Sequence, residues 1–120
     1  MFVRSKALNN AIQTVKVEFG TLVGEPNDAE VFVVLKELPT LEMMKLKEAQ
    51  EKGELELMQF FKTVIPGILV EHNLYETESE KMTNTQVADF IFEKLPVTSK
   101  VIGDYSNAAF FTPGNKEAEK

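Results

Sequence analysis

The chain has 120 residues, 43% of them hydrophobic, with nine phenylalanines, no cysteine and a formal net charge of -6. That length holds one packed core rather than two, and the lack of cysteine excludes disulfide frameworks, thiolate metal sites and cysteine nucleophiles. The lysines and arginines are scattered and outnumbered by acids, which argues against nucleic acid as a partner, and no apolar run approaches the roughly 20 residues of a membrane span.

Residues 1–13 read as an irregular lead-in or a short helix, because Leu8, Ala11 and Ile12 have helical spacing that Asn9 and Asn10 weaken. No apolar stretch of signal-peptide length follows Met1, so the expected location is the cytoplasm. From Thr14 the period becomes two: Val15, Val17 and Phe19 alternate with Lys16 and Glu18, as in a strand with one buried face. The turn-rich Gly24-Glu25-Pro26-Asn27-Asp28 then leads to Val31-Phe32-Val33-Val34-Leu35. Two β-rich runs joined in this way predict an antiparallel hairpin over about residues 14–36. Two strands alone are marginal in water, so helices must cover one face.

Thr40 is placed to cap a helix running to about Lys52, with Gly53 placed to end it. A stronger apolar stripe follows, in which Leu57, Phe60, Phe61, Val64, Ile65, Ile68 and Leu69 recur at helical spacing. Pro66-Gly67 interrupts this stripe and predicts a kink or break. Residues 71–82 are polar and read as a solvated loop. Thr83 and Gln86 have the spacing of a capping box, with Met82 and Val87 where a hydrophobic staple would close. The helix they open carries Val87, Phe90, Ile91 and Leu95 on one face and should stop at Pro96. A last helix is expected from Thr98 towards Phe110, followed by a polar tail. The predicted organisation is therefore a lead-in (1–13), one α+β domain (14–111) with a hairpin packed by three or four helices, and a flexible C-terminal tail (112–120).

Reactive chemistry is hard to find in this sequence. His72 is the single histidine, and Ser5, Ser79, Ser99 and Ser106 have no nucleophile-elbow context. A ligand pair of His72 with Glu76 falls short of the three or four ligands that zinc takes, so His72 reads as a surface or rim residue at a helix end. Glu76, Glu78 and Glu80 lack the offsets and central glycine of a calcium loop, and Gly20, Gly24 and Gly53 make no phosphate cradle. Nothing selects one carboxylate pair for glycoside chemistry. The expectation is a non-enzyme with no catalytic residues, cofactor or metal. Phe60, Phe61, Val64, Phe90 and Ile91 are assigned to the core. The cluster Leu41, Met43, Met44 and Leu46 is the candidate binding surface: adjacent methionines point in different directions around a helix, and methionine suits a surface that receives varied apolar segments.

Over about residues 30–110 the order of these features resembles the tail assembly chaperones of long-tailed bacteriophages. The likeness rests on a β-rich start ending in Leu38-Pro39, a helix with Leu41, Met44 and Leu46, and the stretch Ile68 to Tyr75 leading into an acidic turn. A Thr-capped helix, a proline and a final helix complete it. Glu78-Ser79-Glu80 departs from the pattern in lacking the glycine expected in that turn. The resemblance implies a protein that binds the tape-measure protein, keeps its apolar helices from aggregating and recruits tail-tube subunits. It would work in the host cytoplasm, as a possible homo-oligomer, and be absent from the finished tail. A longer form made by frameshifting also belongs to that picture. The alternatives are a structural head–tail junction or tail completion protein, a small regulatory adaptor, and a small hydrolase or metal enzyme using His72.

Overall fold

The computed structural model describes residues 13–108. The lead-in up to residue 12, the end of the expected last helix and the C-terminal tail lie outside the described residues. The domain is α+β, as the residue patterns predict. Strands β1 (Thr14–Glu18) and β2 (Phe32–Lys36) pair antiparallel, from Thr14 opposite Lys36 to Glu18 opposite Phe32. Helices α1 (Thr40–Lys52) and α2 (Glu54–Ile68) follow, then β3 (Leu69–His72), β4 (Tyr75–Thr77), β5 (Glu80–Lys81), α3 (Asn84–Ile91) and α4 (Leu95–Ser106).

The turn-rich connection between β1 and β2 is built as two 3-10 turns, Gly20–Val23 and Asp28–Glu30. The Asp28 carboxylate accepts from both the backbone N–H and the hydroxyl of Thr21. These bonds favour its charged form and hold its pKa below the usual carboxylate value. Gly20 is buried at the crossing of the two turns, where a Cβ would overlap the Asn27 carbonyl oxygen.

Three expectations need correction. The polar stretch 71–82 carries strands rather than one continuous loop, although residues 75–81 are solvent-exposed as expected. β3 adds to β2 to give a three-stranded antiparallel sheet in the order β1-β2-β3, and β4 with β5 forms a separate hairpin. The register of β3 shifts between Val34 and Leu35, so Val70 stands outside the paired residues and is exposed. This bulge breaks the alternation that would have marked a strand. No break occurs at Pro66: α2 continues through it to Ile68, and only the one backbone bond to the Lys62 carbonyl is forgone, close to the helix end. The helix end is instead closed by Asn84, whose Nδ2 donates to the carbonyls of Pro66 and Leu69, each at 3.1 Å. Pro96 begins a helix rather than ending one: α3 stops at Ile91, and Pro96 sits in the first turn of α4, where amides have no partner within the helix. The Thr98 hydroxyl, expected at a helix start, is buried and donates at 2.6 Å to the Ile91 carbonyl.

The capping box of α3 forms as its spacing predicts. The Thr83 hydroxyl accepts from the Gln86 N–H at 3.1 Å, while the Gln86 side chain accepts from the Thr83 N–H at 2.8 Å. Met82 and Val87 belong to one apolar cluster. The core lies between the sheet and helices α2, α3 and α4, with α2 over β2 and α4 over β1. Val17, Val33, Phe61, Ile65, Ile91 and Val101 are fully buried there. Phe61 stacks edge-on to Tyr105 with ring centroids 5.7 Å apart, and the Tyr105 hydroxyl donates to the Lys36 carbonyl at 2.8 Å. Among the described residues, no helix is long and apolar enough to cross a membrane.

Because the Gly20 site admits no side chain, Gly20→Ala should destabilise the fold by about 2 kcal/mol or more. Urea unfolding against the parent chain measures this. An unchanged midpoint would show that the crossing of the two turns relaxes freely.

Candidate functional site

Helix α1 starts after Pro39, whose carbonyl accepts from the Met43 N–H at 2.9 Å, so Thr40 is its first residue rather than its cap. Lys45 pairs with Glu42 at 3.1 Å and Lys52 with Glu48 at 3.7 Å along its surface. Such exposed pairs contribute only about 0.3–0.5 kcal/mol each, so α1 depends on its contact with α2. Leu46 and Ala49 are buried, and Met43 is half-buried against the core cluster. Leu41 and Met44 turn outward, 72% and 62% exposed.

The four candidate residues therefore separate by position on the helix. Leu41 and Met44, three apart, share a solvent face. Met43 points elsewhere, as expected for a neighbour of Met44. Leu46 is corrected to a core residue: at 3% exposure it holds α1 to the rest of the fold and offers nothing to a partner.

An open groove of about 470 Å³ runs between α1 and α2. Its apolar lining is Ala49, Phe60 and Val64; its rims carry Glu42, Lys45, Glu48 and Lys52 from α1, and Glu56, Gln59 and Thr63 from α2. The core assignments of Phe61 and Ile91 hold without remainder, since both are fully buried. Phe60, Val64 and Phe90 are half-buried and packed against the core, with Phe60 and Val64 also facing the groove. Spacing carried a signal for this division. Phe61, Ile65 and Ile68 form one row and Phe60 with Val64 a parallel one, offset by a single position around the helix. Phe60 is held edge-on to Phe61, with ring centroids 5.6 Å apart. Ala49 is the small residue that leaves the groove open.

His72 is not at a helix end or on the surface. It lies on β3, 6% exposed, opposite Val33 of β2. Its Nδ1 accepts from the Leu74 N–H at 3.0 Å, which fixes the neutral ring with the proton on Nε2. Burial, and then the charge of Lys81, push its pKa below 6.5, against a smaller opposing effect from a backbone hydrogen bond at Met82. With Nδ1 engaged by the backbone, the ring is a structural group and not a base presented to a cleft. Among the described residues, no group of three or more His, Asp or Glu side chains is placed to hold a metal ion. A second open cleft, of about 250 Å³, lies near this ring and is bordered by Val31, Leu74, Tyr75, Met82 and Phe90.

Comparison with protein-family models, curated proteins and solved structures found no match.

The split within α1 has a measurable consequence. Leu46→Ala should cost about 2–5 kcal/mol as a core truncation, whereas Met44→Ala should stay within about 0.5 kcal/mol. Equal losses in thermal or chemical unfolding would contradict the placement of either side chain.

Proposed function

We propose that this chain is a protein-binding chaperone of the phage tail assembly type, receiving amphipathic helical segments on the α1–α2 hairpin. The observation that carries the reading is the position of Leu41 and Met44 on the outer side of α1, in the same helical hairpin as a groove with an apolar lining. Burying a leucine or methionine contributes about 1.5–3 kcal/mol. Leu41 and Met44, which lie outside the groove lining, offer two such anchors, and Phe60 and Val64 a further apolar contact, which suits a client that must be held and later released. A helical client would set apolar residues at i, i+3 and i+4 against this surface. Methionine's flexible thioether lets one surface accept different client segments.

The sequence resemblance supplies the client class, a long helical tape-measure protein, and a second partner, the tail-tube subunit. A coat of repeated small chaperones along such a client would gain from multivalency. The net charge of -6 keeps the chaperone soluble between binding events.

Replacing Leu41 and Met44 together by Ser should leave unfolding within about 0.5 kcal/mol of the parent and weaken binding of the tape-measure protein by about tenfold or more. Co-expression and pull-down with the tape-measure protein, followed by titration of its soluble segments, reads both. Undiminished binding by a folded double variant would remove α1 as the site. Mass spectrometry of purified particles decides between a transient chaperone and a structural role, because this chain at fixed stoichiometry in the virion would establish the latter.

A further inference from the structure

His72 has no part in the α1–α2 surface, yet it occupies a junction. It ends β3, and the two residues after it tie three parts of the fold together. Asn73 accepts from the Phe32 N–H and donates to the Glu30 carbonyl, at 3.0 and 2.9 Å. The Leu74 carbonyl accepts from the Met82 N–H at 3.0 Å, closing the base of the β4–β5 hairpin. The Leu74 N–H donates to His72 Nδ1. Leu74 is buried and Met82 half-buried, so this closure covers apolar surface beside the second cleft.

We propose that His72 is an acid-sensitive latch, whose protonation at Nδ1 releases Leu74 and opens the β4–β5 hairpin from the body of the fold. A protonated Nδ1 and the Leu74 N–H are both donors, so their bond cannot survive proton uptake. The new cation is buried, and a buried charge without a counter-charge is costly. Among the described residues, the charge that bears on the ring is Lys81 of β5, which repels it. Val33, opposite on β2, is neutral, and Glu71 projects to the other, exposed face of the strand. Moving residues 74–82 outward relieves all three penalties: it frees the N–H, hydrates the ring and carries Lys81 away. The net depression of the ring's pKa shows that these outweigh the backbone hydrogen bond at Met82 that is lost. The same movement uncovers Leu74 and Met82.

The sign follows from the ring's depressed pKa. The closed state binds the proton less tightly than the open one, so the latch is fully engaged above pH 6.5 and weakens as pH falls below it. The test is hydrogen exchange of the Leu74 amide in the full chain, as protection factors between about pH 8 and about pH 5, alongside an NMR titration of the imidazole. Protection should fall by about tenfold for each unit by which the ring's pKa lies below its open-state value. His72→Asn places a non-titrating oxygen where Nδ1 stood and should make the Leu74 amide insensitive to pH over that range. Lys81→Ala, on an exposed strand, should raise the imidazole pKa and shrink the pH-dependent loss of protection with it. The latch is overturned if protection of the Leu74 amide stays constant while His72 titrates, or if folded His72→Asn loses protection as the parent does. Should His72→Asn fail to fold, Lys81→Ala decides, since an imidazole pKa that moves without any change in amide protection also overturns it.

Discussion

The fold depends on one meeting of side chains, where the Tyr105 ring stands edge-on to Phe61 and its hydroxyl reaches the Lys36 carbonyl. Both rings are fully buried. A buried hydroxyl without a partner would cost about 1–3 kcal/mol, so the bond to Lys36 makes a polar atom tolerable at the centre. Burial, and then the nearby Glu37 charge, push the phenol's pKa up from its usual value, and it remains a neutral donor. This contact fixes the end of β2, the middle of α2 and the last turn of α4 together. Phe60, in the neighbouring row, leans edge-on against Phe61. The groove beside α1 is thereby braced from within the core, and its apolar lining does not depend on a client for support.

The parts of the fold legible in the sequence are those decided by neighbours along the chain. The alternation in β1, the glycine that ends α1 and the reciprocal Thr83–Gln86 cap are local arrangements, and local chemistry settles them. The third strand was not legible because its signal is tertiary. Leu69 and His72 face inward while Val70 and Glu71 face out, and the shifted register removes the period that reveals a strand. Pro66 and Pro96 were misread for a related reason. A proline's effect depends on its distance from a helix end, and those ends are fixed by Asn84 and Thr98 reaching across from other elements.

The candidate surface was half legible. Composition and spacing pointed to the α1 cluster, and Leu41 and Met44 are indeed its exposed members. Nothing in the sequence told Leu46 from them, because which side of a short, weakly amphipathic helix turns inward is set by the partner helix. Phe60 and Val64 passed as core for the opposite reason: they touch the core on one side and open to the groove on the other. His72 was hidden furthest. A lone histidine in an acidic, polar stretch looks solvated until the strand pairing that buries it is known.

Gly53 alone joins α1 to α2, with φ at 127° and ψ at 179°. A side chain there would be strained even where space allows it. Substitution is thus unevenly permitted across the hairpin. The outward positions of α1 are open to replacement, while the joint that aims them has a single acceptable residue. The surface of this hairpin can drift, but the angle between its two helices cannot.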